Sequence, residues 1–178
     1  MKRVILPFLA GILFLILQTT WLSSFPTHWL RPDLLFIFTL YLAFLFPPIF
    51  GGILAFFMGY LLDLFSGNTF GFYTFSRPLV FLAAQFFKER FYLEGFTFQF
   101  LFAFIFGVLE GILIFMLMNT LQPIPLGNLY PLLFTFLLPQ SFFTGLATPL
   151  LFFLFQKGSS LLLFRQPEQG IKERGYRP

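Results

Sequence analysis

The sequence contains no cysteine and very little charge. Without cysteine there is no disulfide framework, and the redox compartment cannot be inferred. Charged residues make up 10% of the 178 positions, whereas soluble domains carry roughly 25%. The chain has a single histidine, His28, and no cluster of carboxylates with the spacing of metal ligands. We therefore expect no enzyme active site, no metal and no cofactor.

Apolar residues dominate the sequence instead. They make up 58% of the chain, with 33 phenylalanines and a mean hydropathy of +0.86. A single soluble core could not bury this excess, whereas membrane helices of about 20 apolar residues could use it. The alternating pattern of a membrane barrel is absent, so we predict an all-α integral membrane protein. The net charge of +4 matters through its placement and is no indication of nucleic-acid binding.

Six apolar segments predict six transmembrane helices in one domain, residues 1–165. Their approximate bounds are 4–22, 34–46, 49–65, 72–87, 96–118 and 130–156, and a polar basic tail covers 166–178. The first segment could be a signal peptide, but no small-residue cleavage site follows it, which favours a retained helix. Pro47 and Pro48 predict a tight turn, with one long kinked helix as the alternative. Pro139 and Pro149 predict kinks in the sixth helix.

Basic residues are concentrated on one side of these six segments. With the N-terminus inside, that side holds nine of them, whereas the outer loops hold only Arg31. The nine are Lys2, Arg3, Lys88, Arg90, Lys157, Arg165, Lys172, Arg174 and Arg177. This bias predicts that both termini are cytoplasmic. Trp21, Trp29 and Tyr130 then lie where an outer aromatic belt is expected.

Small residues recur every four positions on two of the predicted helices. Gly51, Ala55 and Gly59 share one face of the third helix, and Gly107 and Gly111 repeat the spacing on the fifth. This spacing lets two membrane helices approach closely. We call these two glycine-containing helix faces the glycine seams. The sequence leaves open whether each seam packs inside the bundle or against another protein.

Three ionisable residues lie within the apolar segments: Asp63, Arg77 and Glu110. Such residues are rare in membranes and usually face the protein interior. We expect them to form a charge cluster in the outer half of the bundle, with Arg77 bridging both carboxylates and locking the helices together. Two alternatives are that Asp63 caps the outer turn beside Ser66 and Asn68, or that the cluster handles a substrate or protons.

Two short polar motifs flank the second and third helices. In "RPDLL", Pro32 and Asp33 suit the first turn of the second helix, where an acidic side chain complements the helix dipole. In "SGNTFG", glycine and asparagine tolerate the positive φ of a tight turn. Both motifs are explained structurally without invoking a function.

Taken together, these motifs resemble the rod shape-determining protein MreD family of bacteria. The similarity covers nearly the whole chain, including "LLPQSFFTGLATPLLFFLF" and the basic tail, and it is strongest from Arg31 to Thr74. There the family shows a Pro-Asp opening and a G-x-x-x-D-x-x-S-G…G core. The matching positions are Pro32, Asp33, Gly59, Asp63, Ser66, Gly67 and Gly71.

The resemblance implies a non-enzymatic component of the cell elongation machinery in the inner membrane. Such proteins bind MreC, a single-span partner, and work with a RodA-type glycosyltransferase, a class B penicillin-binding protein and, indirectly, MreB. The resemblance also implies a fold similar to the six-helix substrate-binding subunits of energy-coupling-factor transporters. The alternative function is therefore a small-molecule (vitamin-like) binding subunit of a transporter, although fold alone does not give function.

Overall fold

The computed structural model describes residues 2–20, 32–66, 71–88, 95–121 and 133–161, which form six helices and no strand. In chain order the helices are α1 (Lys2–Thr20), α2 (Leu34–Leu45), α3 (Pro48–Ser66), α4 (Phe72–Phe87), α5 (Phe96–Leu121) and α6 (Leu138–Leu161). A π-helical turn, Leu133–Leu137, leads into α6. The most extensive helix contacts are those of α3 with α4 and of α5 with α6.

Helix α2 lies at the centre of the bundle. Every residue from Leu35 to Ala43 is buried, and the helix contacts each of the other five described helices. Its sequence is apolar on all sides, the pattern of a helix enclosed by other helices. Its 12 residues extend over only about 18 Å, which is less than the hydrocarbon core of a bilayer, about 30 Å.

Phe46 and Pro47 separate α2 from α3. Phe46 has extended backbone, with φ −114° and ψ 152°, as expected before a proline. Pro48 is the first residue of α3, a position where its missing N–H breaks no helical hydrogen bond. The prediction of two helices, rather than one kinked helix, is confirmed.

The predicted sixth segment differs most from the structure. Its described part begins with the π-helical turn and continues as α6 to Leu161, beyond the predicted end at residue 156. Pro139 has no N–H to bond the carbonyl of Thr135, so a regular α-helical bond is missing where the wider turn lies. Pro149 lies inside α6.

The other predicted segments agree closely with the described helices. Helix α4 has the predicted bounds, α2 ends one residue earlier than predicted, and α3 extends one residue beyond the prediction at each end. Helix α5 extends three residues further than predicted, and α1 begins and ends two residues earlier. Trp21, His28, Trp29, Gly67, Tyr130 and the 166–178 tail lie outside the described residues.

Three of the six described helices are long and apolar enough to cross a membrane. The spans are Pro48–Phe65, Phe96–Thr120 and Phe134–Lys157, while Leu6–Thr20 and Leu34–Leu45 are shorter apolar helices. Large apolar side chains such as Phe50, Met116 and Phe153 are exposed on the three long helices, which suits a lipid environment. The chain is a membrane protein, and a six-span topology stays a prediction.

Candidate functional site

Asp63, near the end of α3, holds the start of α4. Its carboxylate accepts hydrogen bonds from the backbone N–H groups of Gly71 (3.1 Å), Tyr73 (3.1 Å) and Thr74 (2.8 Å), and from the Thr74 hydroxyl (2.5 Å). The first N–H groups of a helix have no partner within it, and a negative charge there also complements the helix dipole. Asp63 is only 2% exposed. It therefore caps α4 from a neighbouring helix.

Gly71 shapes the backbone that presents these N–H groups. Its φ of +109° is a conformation that side chains with a Cβ rarely adopt. It directly precedes α4, and its carbonyl accepts the N–H of Phe75 at 3.1 Å. The family-motif positions Asp63 and Gly71 therefore form one structural unit, and Ser66 is the last residue of α3.

Arg77 on α4 is the centre of a buried charge cluster. It is fully buried, its Nη2 donates to Asp33 Oδ2, and its Nε lies 3.1 Å from Glu110 Oε1. The rings of Phe36 and Tyr73 lie over the guanidinium, with centroids 5.3 and 5.5 Å from Cζ, within the range of a cation–π interaction. We call Asp33, Arg77 and Glu110 the charge cluster. It joins α4, α5 and the start of α2.

The structure corrects the predicted composition of this cluster. Arg77 does bridge two carboxylates, one of which is Glu110 as predicted, but the other is Asp33 instead of Asp63. The bonds of Asp63 go to the start of α4. Sequence spacing relates residues of one helix only, so it could not show that the N-terminus of α2 lies beside α4.

Asp33 performs two tasks. As the N-cap of α2 it accepts the N–H of Phe36 at 2.8 Å, as the "RPDLL" motif predicts for the start of that helix. Its other carboxylate oxygen accepts the Arg77 bond, and its own N–H donates to the Thr144 hydroxyl of α6 at 3.2 Å. Pro32 directly precedes it. The predicted helix start is therefore also an interhelical junction.

Several polar side chains that the sequence reasoning did not single out complete these junctions. Ser76 donates to Glu110 Oε1 at 3.2 Å, and Gln18 accepts the N–H of Leu35 at 3.0 Å. At the other end of α2, Gln85 Nε2 donates to the carbonyls of Ala43 (3.2 Å) and Phe46 (2.5 Å). Isolated polar residues in apolar helices were the available indication, because such groups are rarely left without partners in lipid.

The glycine seam on α3 faces α4 of the same chain. A Cβ on Gly59 would overlap the backbone carbonyl of Tyr73, and a Cβ on Gly51 would overlap the ring of Phe81. Ala55, between them on the same face, is fully buried. The close approach of α3 and α4 therefore occupies this seam.

The seam on α5 is likewise occupied within the bundle. A Cβ on Gly107 would lie 3.2 Å from Ser141 Oγ, and one on Gly111 would overlap Leu137. Gly52, by contrast, has nothing within 4 Å of its Cβ position. Of the two alternatives that the sequence left open, the structure shows internal packing at these four seam glycines.

A cavity of about 60 Å³ lies next to the charge cluster, between α2, α4, α5 and α6. Its polar lining comprises Asp33, Tyr73, Glu110, Gln140, Ser141 and Thr144. Within the described residues, no group of three histidine, cysteine or carboxylate side chains could hold a metal ion. The two carboxylates at this cavity, Asp33 and Glu110, instead form ion pairs with the guanidinium of Arg77.

The comparisons with known proteins give a family match but no individual relative. No curated protein and no solved structure matches the chain, so similarity to the energy-coupling-factor subunits stays a prediction. The family model described as rod shape-determining protein MreD matches residues 2–159. That match includes all six described helices except the last two residues of α6, and with them the Asp63 cap and the charge cluster. On this match, the chain belongs to the rod shape-determining protein MreD family.

Proposed function

We propose that this chain is a non-catalytic inner-membrane scaffold of the bacterial cell elongation complex, with both termini cytoplasmic. Family membership over residues 2–159 gives its role in rod-shape determination and is the observation that carries the proposal. The finer part of the proposal is that the chain binds an MreC-like single-span protein. Through that complex it supports lateral peptidoglycan synthesis by a RodA-type glycosyltransferase and a class B penicillin-binding protein, with MreB acting indirectly.

The contacts made by the buried polar groups support a role for the chain as a scaffold. Asp63 binds the start of α4, and the charge cluster joins three helices. These contacts hold helix ends at fixed positions, which a binding surface for other proteins requires. The buried ionisable side chains, which are the candidates for catalysis, therefore stabilise the helix bundle.

A partner must use a surface other than the two glycine seams, because the protein's own helices fill them. The outward apolar side chains are what the described bundle offers to another membrane helix. Helix α3 carries several along one side, including Ile49, Ile53, Phe56 and Tyr60. Packing and interhelical hydrogen bonds, more than burial of apolar area, drive helix association in lipid.

Depletion of the chain in a rod-shaped host, with complementation, tests the proposal. We expect depleted cells to round up and the wild-type gene to restore rods. Affinity purification of the tagged chain from the same cells should recover an MreC-like partner. A control pulldown uses an unrelated tagged six-helix protein at equal expression. Rods that persist on depletion, or purification without the partner, would contradict the proposal.

The alternative function is a small-molecule binding subunit of a transporter. The cavity beside the charge cluster is the observation in its favour. Its volume of about 60 Å³ is small beside ligand pockets, which measure roughly 300–1,000 Å³. We therefore rank the scaffold first. Depleted cells that keep their rod shape but lose uptake of a nutrient would reverse that order.

A further inference from the structure

The cavity beside the charge cluster has an excess of negative charge. Asp33 and Glu110 both line it, and Arg77 is the one basic side chain paired with them. With both carboxylates ionised, the cluster carries one unbalanced negative charge. A buried charge without a partner is costly, and the cost is removed when a counter-charge occupies the site.

Glu110 and Ser141 line the cavity, and each has an oxygen that makes no hydrogen bond within the described part of the chain. Glu110 is 5% exposed, Ser76 donates a hydrogen bond to its Oε1, and Arg77 Nε lies 3.1 Å from the same oxygen in an ion pair without a hydrogen bond, so that no described residue donates to Oε2. Ser141 is 4% exposed, and its hydroxyl has no hydrogen-bond partner among the same residues. Buried polar atoms are normally satisfied. These two therefore indicate a ligand or waters that bring N–H or O–H donors.

The other wall of the cavity is apolar and adjoins lipid-facing residues. Ile114 and Leu137 line it, and on the adjoining turn Phe134 and Phe136 are exposed. The cavity volume of about 60 Å³ would hold about four waters or a group of similar size. A small cationic group on a short methylene stem fits a lining that is acidic on one side and apolar on the other.

We propose that this cavity binds the primary ammonium head group of a membrane phospholipid, such as phosphatidylethanolamine. The ammonium has three N–H donors, which match Glu110 Oε2, the Ser141 hydroxyl and the side-chain oxygen of Gln140. Its charge balances Asp33 and Glu110 against Arg77. Phosphatidylcholine offers no N–H and a larger head, and phosphatidylglycerol offers no cation, so both should bind poorly.

Lipid retention by the purified full chain tests the site. The wild-type protein is placed in micelles with equal amounts of phosphatidylethanolamine, phosphatidylcholine and phosphatidylglycerol, and retained lipids are counted by native mass spectrometry. We expect phosphatidylethanolamine to be preferred by about tenfold, the effect of one charge-assisted hydrogen bond. Free ethylammonium should displace it, which would show that the ammonium group itself is recognised.

Two variants locate the binding. Glu110→Gln removes the excess charge, and Ile114→Phe fills the cavity while every charge is kept, so the second remains informative if the first folds poorly. Both should abolish the preference. Ile112→Phe makes the same enlargement at an exposed position of α5 and should leave the preference unchanged.

Three results would overturn the proposal. The first is equal retention of the three lipids by the wild-type protein, and the second is an unchanged preference in both cavity variants. The third is an infrared band of a protonated carboxyl that disappears in Glu110→Gln, in a protein without lipid preference. That result would mean that a proton neutralises the cluster and that the cavity holds water.

Discussion

Asp63 on α3 binds Thr74 on α4 twice, through the backbone N–H at 2.8 Å and the side-chain hydroxyl at 2.5 Å. The two residues are 11 positions apart and belong to consecutive helices. A helix cap is usually supplied by the residue just before the helix, but here that position is Gly71, which has no side chain. The preceding helix supplies the carboxylate instead. One acid therefore fixes both the start of α4 and its position against α3.

Loss of the Asp63 carboxylate should destabilise the bundle strongly. Asp63→Ala leaves the buried N–H groups of the first turn of α4 without acceptors, and we expect a loss of about 3 kcal/mol in the free energy of unfolding. Thr74→Val removes only one of the four bonds and should cost about 1 kcal/mol. Thermal or denaturant unfolding in detergent measures both. Equal effects of the two variants would show that Asp63 does not act as the common acceptor.

A comparison of Gly59→Ala with Gly52→Ala distinguishes the effect of close helix packing on stability from the effect of helix propensity. Gly59→Ala forces a Cβ against the backbone carbonyl of Tyr73, which cannot rotate away, and should cost about 1–3 kcal/mol. Gly52→Ala meets open space on the same helix and should change stability by about 0.5 kcal/mol or less. Yield and melting temperature of the two purified variants make the comparison. A Gly59→Ala protein as stable as Gly52→Ala would contradict the packed seam.

Neutralising Arg77 should lower the free energy of unfolding more than neutralising Glu110. Arg77→Met leaves the buried Glu110 and the partly buried Asp33 without a counter-charge and should cost about 3–5 kcal/mol. Glu110→Gln leaves one positive charge, on Arg77, paired with one negative charge, on Asp33. This substitution should cost about 1 kcal/mol or less.

A double-mutant cycle on unfolding free energies checks this prediction. The Arg77→Met/Glu110→Gln protein should be more stable than Arg77→Met alone, because one unpaired carboxylate has been removed. A Glu110→Gln cost equal to that of Arg77→Met, with additive effects, would mean that the two side chains are energetically independent.

Gly71→Ala tests the backbone conformation before α4. Its Cβ would meet no other atom within 4 Å, so the effect reports φ alone. The positive φ of +109° should make alanine cost about 1–2 kcal/mol. Asparagine, which tolerates positive φ better, should recover part of that loss. An alanine variant with wild-type stability would show that the turn adopts another conformation.

Local sequence features predicted much of the architecture. The apolar runs located five of the six described helices to within three residues at each end, and Pro47–Pro48 predicted the break between α2 and α3. Each of these features acts through neighbouring residues, by apolar content or by loss of a backbone donor. The sixth segment ends at Leu161, five residues beyond the predicted end, and its π-helical turn was not predicted because such a turn gives no distinct pattern of apolar residues.

The pairing of polar groups could not be predicted in the same way. The sequence identified Asp63, Arg77 and Glu110 as significant, yet it placed Asp63 in the cluster, with a cap of the outer turn as an alternative, and treated Asp33 as a cap alone. Both carboxylates are compatible with a buried arginine, so residue type did not discriminate between them. The packing of α2 against α4 brought Asp33 to Arg77.

The sequence by itself determined that this protein is a helical membrane protein of the MreD type, because composition and local motifs carry that information. Only the tertiary structure decided that both glycine seams are filled from within, that Asp63 caps α4, and that Asp33 completes the charge cluster. The physical reason is that helix spacing orders residues on one helix, whereas hydrogen bonds and steric contact between helices depend on which faces meet.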